Sequence, residues 1–283
     1  MKHMNENRFT RLLKLPIYLW SLVFVFVVLL YVIGISFLTR GEVIGVTNEF
    51  TLSNYERLAS PQYLRVLGNS LRLAGVTTLL CALIGYPFGY IMARLSPMRR
   101  AIMLLLIIVP FWTNSLIRMY GWRILLLANG PINSILLHFH LIDKPLKLLY
   151  NEGTVLLGMV YALLPFMIFP SFTAVDKLDF SVVEAARDLG ANPLFAFFTV
   201  TIPLTFSGLM AGCVLVFIPS MGLFFISDLL GGSKNVLIGG LIRNFINSRD
   251  LPLAAALSLI MLLMTGVVIY LNRRFGNGNA SMI

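Results

Sequence analysis

Apolar residues fall in long uninterrupted runs along this chain, and the polar ones collect in the gaps between them. A helix rises about 1.5 Å per residue and the hydrocarbon layer is roughly 30 Å thick, so one crossing needs about 20 apolar residues. Stretches free of Asp, Glu, Lys and Arg occupy 17–38, 73–93, 101–117, 153–175, 203–227 and 251–272, which predicts about six spans. The third is the weakest, because Thr113, Asn114 and Ser115 follow its apolar half and Arg118 and Arg123 come soon after. The run 124–142 is interrupted by Asn129-Gly130-Pro131 and reads as a helical piece outside the bilayer or at its interface. The first run is longer than the ~7–15 residues of a signal-peptide core and has no small-residue cleavage site after it, so we expect it to be retained.

Several runs contain helix-disturbing residues: Gly85-Tyr86-Pro87, Pro110, Pro165, Pro170, Gly208, Gly212, Pro219 and Gly222. Each internal proline frees a carbonyl and bends its helix, which hydrocarbon tolerates only where neighbouring helices or water satisfy the freed group. Taken singly, each fits ordinary bent transmembrane packing with small residues at helix contacts. Together they favour a pathway-forming bundle over a simple anchor.

The gap between the fourth and fifth runs is the most informative. Ser181 and Glu184 stand three apart ahead of Ala185, Ala186 and Leu189, the spacing of a capping box that starts a helix. Gly190 suits the left-handed position that ends one. Asn192-Pro193 then opens another helix, with asparagine at the cap and proline in the first turn, running through Phe195 and Phe198 toward Pro203. A short, sharply ended helix of this kind can seat in a groove of a partner protein, or it can rest in the lipid headgroups. Local physics leaves both open.

Composition sharpens the class. Of 283 residues 58% are hydrophobic and 12% charged, which excludes a soluble enzyme, a disordered chain and a disulfide scaffold. The net charge is +10, but the basic residues lie mostly between apolar runs, where anionic membrane lipid accounts for them without nucleic acid. The 22 Lys and Arg divide equally between the two sides, but Arg94, Arg99, Arg100, Arg273 and Arg274 crowd against run ends on one of them, where the positive-inside rule is strongest, which favours both termini in the cytoplasm. Cys81 and Cys213 sit inside apolar runs as small hydrophobes and imply neither a disulfide nor a metal site. There is no phosphate-binding G-x-x-x-x-G-K-[ST], since Gly231-Gly232-Ser233-Lys234 has its lysine misplaced, so any ATP hydrolysis belongs to another chain. H-E-x-x-H and G-x-S-x-G are also missing, and His138 and His140, two apart, diverge on a helix. We expect no enzyme, cofactor or metal.

The string Glu184-Ala185-Ala186, three residues, Gly190, nine residues, then Val200-Thr201-Ile202-Pro203 resembles the EAA loop of type I ABC importer permeases, with valine and isoleucine in place of the usual isoleucine and leucine. The strings 110–118, 163–167, 184–191 and 227–235 are similar to spermidine/putrescine permeases of that family, and the likeness runs from about Gly34 to Leu271. The resemblance implies an all-α, MetI-like polytopic bundle in a bacterial inner membrane. Its expected parts are a tail at 1–16, a first span at 17–38, a permease domain at 65–272 containing the loop 176–202, and a tail at 273–283. It also implies a second permease subunit, a pair of ATPase subunits and an external polyamine-binding protein as partners. By the same resemblance Glu184, Ala185, Ala186, Arg187, Asp188 and Gly190 form the contact with the ATPase. A permease of this family for another small solute is the alternative. An autonomous secondary transporter lacks support, because the runs contain no ionisable groups for ion coupling.

Burying an unpaired charge costs several kcal/mol or more, so a polyamine needs water, carboxylates or aromatic faces on its way. No Asp or Glu falls within the six runs, and Asp228 is the nearest. Trp112, Tyr120 and Tyr161 could attract a cation at about 0.5–2 kcal/mol each, and with Asp228 they are the pathway candidates. Trp and Tyr near span ends also serve as interfacial anchors, which is the competing role for these rings.

Overall fold

The computed structural model describes residues 16–41, 45–232 and 236–276. Residues 1–15 of the expected tail 1–16, Ser233-Lys234-Asn235, and residues 277–283 of the expected tail 273–283 lie outside the described residues. Two compact units divide the chain, Met1–Leu64 with Leu241–Leu263 and Arg65–Gly240 with Met264–Ile283.

Among the described residues five helices are long and apolar enough to cross a membrane: α1 (Pro16–Ser36), α3 (Pro61–Ala93), α7 (Glu152–Asp176), α9 (Pro193–Gly222) and α11, whose crossing segment is Leu251–Arg274 of Leu251–Gly276. A sixth crossing exists if the bent pair Pro97–Trp112 (α4, ending in a tight 3-10 turn) and Ser115–Leu125 (α5) is one span. Shorter pieces are α2 (Ser53–Leu58), α6 (Pro131–His138), α8 (Phe180–Asp188) and α10 (Ile238–Asn247). The described residues are thus mostly helical, with five to six candidate crossings where the apolar runs predict about six.

The third expected span, 101–117, does not run straight: its axis turns by 93° between Trp112 and Ser115. Thr113 and Asn114 take extended conformations there, with ψ of 148° and 132°. The Thr113 hydroxyl donates to the Pro110 carbonyl at 2.8 Å, and the Asn114 side chain caps α5 by accepting from the Leu116 amide at 2.8 Å. The break is therefore satisfied by side chains on either side of it. Pro87, Pro165, Pro170 and Pro219 sit inside helices that continue past them.

In the larger unit, α7 and α9 pack along each other. Gly212 permits it, since a Cβ there would lie 2.6 Å from Met167 Sδ. The core around them gathers Leu73, Cys81, Met119, Val155, Met159, Leu163, Met167, Val216 and Ile226. A second cluster, Tyr86, Ala93 and Val175, lies beneath the loop that carries α8 and includes partly buried Tyr90, Phe172, Phe180 and Phe197.

In the smaller unit, β1 (Leu38–Thr39) pairs antiparallel with β2 (Thr47–Phe50). Asn54, almost fully buried, donates to the Ser36 and Leu38 carbonyls at 3.0 and 2.9 Å and so fixes the chain leaving α1. Arg57 and Arg40 converge on buried Asp250, at 3.0 and 3.9 Å. Helix α1 is apolar and exposed nearly throughout, the condition of a helix whose solvent is lipid.

Candidate functional site

Helix α8 begins two residues before the expected capping box. The cap is Asp179, in extended conformation (φ −73°, ψ 105°), whose carboxylate accepts from the Ser181 amide at 3.0 Å. Ser181 already lies inside the first turn, so its hydroxyl is not at the cap position and the Ser181–Glu184 spacing is not used. A carboxylate suits a helix N-terminus better than a hydroxyl does, because the helix dipole and the free amides both favour negative charge. The amide and hydroxyl of Ser181 hold the Asp179 carboxyl below its ordinary range.

The other end is a Schellman turn. Gly190 adopts φ +93°, its amide donates to the Arg187 carbonyl at 2.9 Å, and the Ala191 amide donates to the Ala186 carbonyl at 3.1 Å. No atom lies within 4 Å of where a Gly190 Cβ would stand, so the demand for glycine comes from the backbone alone. Asn192 then caps α9, accepting from the Phe195 amide at 2.7 Å, with Pro193 in the first turn. The first part of α9 contains a π turn over Phe197–Thr201.

Glu184, Ala185, Arg187, Asp188 and Gly190 are exposed and Ala186 is half-buried, so the six residues nominated for ATPase contact stand on one short, solvent-facing element. Leu189, in the same turn, is 90% exposed, and Leu194, Phe195 and Phe198 are exposed beyond it. These apolar side chains were not among the nominated contacts. The signal for them was present in the sequence: Leu189 immediately precedes the terminating glycine, where the chain leaves the helix and the side chain has no neighbour to pack against. A hollow of about 440 Å³ beside them is lined by Leu189, Gly190, Asn192, Phe195 and Thr199. On the other side Glu184 and Arg187 border a small cavity of about 70 Å³ with Tyr90, Arg94, Phe180 and Thr201.

The pathway candidates are spread more widely. Trp112 closes the turn before the 93° break and is 81% exposed, and Tyr120 is exposed on α5. Tyr161, on α7, is half-buried and meets Trp122 edge-on at 5.5 Å. Asp228 lies exposed in the π turn Ser227–Gly231. The residue missing from the expectation is Arg118. Its guanidinium lies 4.5 Å from the Phe111 ring centroid and 5.8 Å from that of Tyr161, so one of the nominated rings already faces a cation of this chain. Only Arg118's place in the string after Asn114 hinted at it.

The matching family model is the binding-protein-dependent transport system inner membrane component, over residues 85–277. The chain belongs to this family. It is thus a membrane transport component, and its relatives are transport permeases. Two relatives are named spermidine/putrescine transport system permease protein PotB. The one from Escherichia coli K12 is 47% identical over 251 residues, covering 88% of this chain and 91% of its own length. That from Salmonella typhimurium LT2 is 46% identical over 266 residues, covering 94% and 93%. Among solved structures, a chain of a bacterial alginate ABC transporter in complex with an alginate pentasaccharide-bound periplasmic protein superposes with a TM-score of 0.76. That match is 15% identical over 99% of this chain and 98% of the other, and it establishes the importer-permease fold.

Proposed function

We propose that this chain is the permease subunit through which an ATP-driven importer moves polyamines, spermidine or putrescine, into the cell. The observation that carries the substrate class is the 46–47% identity, over 88–94% of the chain, to permeases named for those two polyamines. Its working partners are a second permease, a pair of ATPase subunits and an external polyamine-binding protein, with both termini and α8 on the cytoplasmic side.

In this reading α8 is the coupling helix. Capped at Asp179 and closed at Gly190, it is a rigid knob, and a knob with Leu189 at its tip suits an apolar groove of the ATPase. Glu184, Ala185, Ala186, Arg187 and Asp188 supply the rest of that contact. Nucleotide-driven movement of the groove pushes α8, and α8 is continuous in the chain with α7 and α9, which pack on each other. The bundle then switches between outward-open and inward-open arrangements. Trp112, Tyr120, Tyr161 and Asp228 line the passage, and the second permease contributes the remaining carboxylates.

Uptake of radiolabelled polyamine into vesicles containing this chain, with and without the ATPase and the second permease, tests the reading. Uptake is expected only with all components and ATP. Transport by the chain alone, or a complete ATP-hydrolysing complex that moves no polyamine, overturns it.

A further inference from the structure

No residue of helix α8 is fully buried, and of its side chains Phe180 at its start joins the apolar cluster beneath, so a push on α8 is passed on through its flanks. The corner between α3 and α4 is only Arg94-Leu95-Ser96, and side chains in it and on the two helices it joins contact α8 and the helices that lead into and out of it. On the entry side, Arg100 Nη1 pairs with Asp176 Oδ1 at 2.8 Å, and its guanidinium lies 5.4 Å from the Phe172 ring centroid. Asp176 is the last residue of α7. The same guanidinium donates through Nη2 to the Ala93 carbonyl at 2.7 Å, closing the end of α3. Arg94 lies 5.2 Å from the ring centroid of Phe180, the first residue of α8, and donates to the Tyr90 hydroxyl at 2.9 Å. Tyr90 in turn meets Phe197 edge-on at 5.2 Å, at the start of the π turn on the exit side.

We propose that Arg94 and Arg100 are transmission residues that lock the α3–α4 corner to the coupling helix, so that a push on α8 is delivered to α3 and α4 as well as to α7 and α9. The inference rests on α8 being the coupling helix. Guanidinium groups suit the task, because each combines a planar face for aromatic stacking with directed donors at its edge. Helix α4 leads to the 93° break at Thr113 and Asn114, so the corner connects α8 to the bent pair α4–α5. Without these two side chains the corner has lost the ion pair and the stacked cations, and α8 can rock without carrying it along. Both arginines act through other residues and are positioning residues.

The test uses the whole importer in vesicles and reads solute uptake per ATP hydrolysed, together with copurification of the ATPase. In the double variant Arg94→Gln, Arg100→Gln the ATPase is expected to remain bound while uptake per ATP falls about fivefold to tenfold, the loss of one ion pair and two stacked cations. Arg94→Lys, which keeps a cation but not the planar face, is expected to fall between. The exchange Arg100→Asp with Asp176→Arg is expected to recover at least half of what Arg100→Asp alone loses, which loss of fold would not permit. If the double variant fails to accumulate in the membrane, the exchange pair decides alone. An unchanged uptake-to-ATP ratio in the double variant, or no recovery in the exchange, overturns the proposal while Glu184→Lys still uncouples. Normal coupling in Glu184→Lys and Gly190→Val instead overturns the reading of α8 on which it stands.

Discussion

Gly190 is the residue whose role is most sharply defined by geometry. At φ +93° with open space around it, a side chain would meet no steric neighbour, and the cost would be that of the left-handed backbone. For a β-branched residue this is roughly 1–2 kcal/mol, whereas asparagine tolerates the conformation. Uptake per ATP is therefore expected to fall in the order glycine, asparagine, valine at position 190, measured in the reconstituted importer at equal membrane level. An equal loss for Gly190→Asn and Gly190→Val would mean that bulk at the surface, not backbone conformation, is what matters. Asp179 gives a pH prediction. Its carboxyl is held below the ordinary carboxylate range by Ser181, so the cap's contribution is fully present above the unfolded-state pKa and disappears as pH falls through the lowered folded value. Hydrogen exchange of the first-turn amides of α8, corrected for intrinsic rate, is expected to stay protected from neutral pH down past the ordinary carboxylate range. In Asp179→Ala the protection is expected to be weaker throughout and not to change with pH there. The position of this cap also shows where reading the sequence falls short. Ser181–Glu184 has capping-box spacing, but two acceptors compete for one helix start, and the backbone conformation that decides between them is not written in the spacing.

At the scale of elements, composition reveals the long crossings because a run of apolar residues has few other fates. The sharp bend in the third needs more: the polar triplet Thr113-Asn114-Ser115 announces a disturbance, but its 93° size depends on the Thr113 and Asn114 hydrogen bonds. The grip of Arg94 and Arg100 on α7 and α8 is long-range in sequence and leaves no local pattern, so it emerges only from the folded chain. The packing of α7 on α9 yields a further prediction. Gly212→Leu would drive its side chain against Met167, whose Sδ stands 2.6 Å from the Cβ position, and overpacking of this kind costs about 1–3 kcal/mol. The variant is expected to unfold at lower temperature in detergent than the unsubstituted protein, and Gly212→Ala by a smaller margin. A Gly212→Leu protein as stable as the parent would show that α7 and α9 separate readily, contrary to the close approach.

For the whole molecule, the distribution of charge constrains how a cation crosses. Among the described residues the long crossings carry acidic side chains only at the two ends of α7, Glu152 and Asp176. Glu152 is engaged with Arg72 at 2.6 Å and Asp176 with Arg100 at 2.8 Å. Arg118 adds a positive charge beside Tyr161. Under the proposed function this chain's share of the passage is the rings of Trp112, Tyr120 and Tyr161 with Asp228, while the acidic side chains on its described long crossings are already ion-paired, so we expect the polyamine to cross this side as a cation. A charged species moving through the field gains about 2.3 kcal/mol per elementary charge for each 100 mV, inside negative. An imposed inside-negative potassium diffusion potential is thus expected to raise the ATP-dependent uptake rate, and to raise it more for spermidine than for putrescine because spermidine carries the additional amine. If uptake of both is indifferent to the potential, their charges are balanced during transit by groups that move with them. The second permease would then carry a mobile counter-charge, and the rings of this chain would not be where the cation passes.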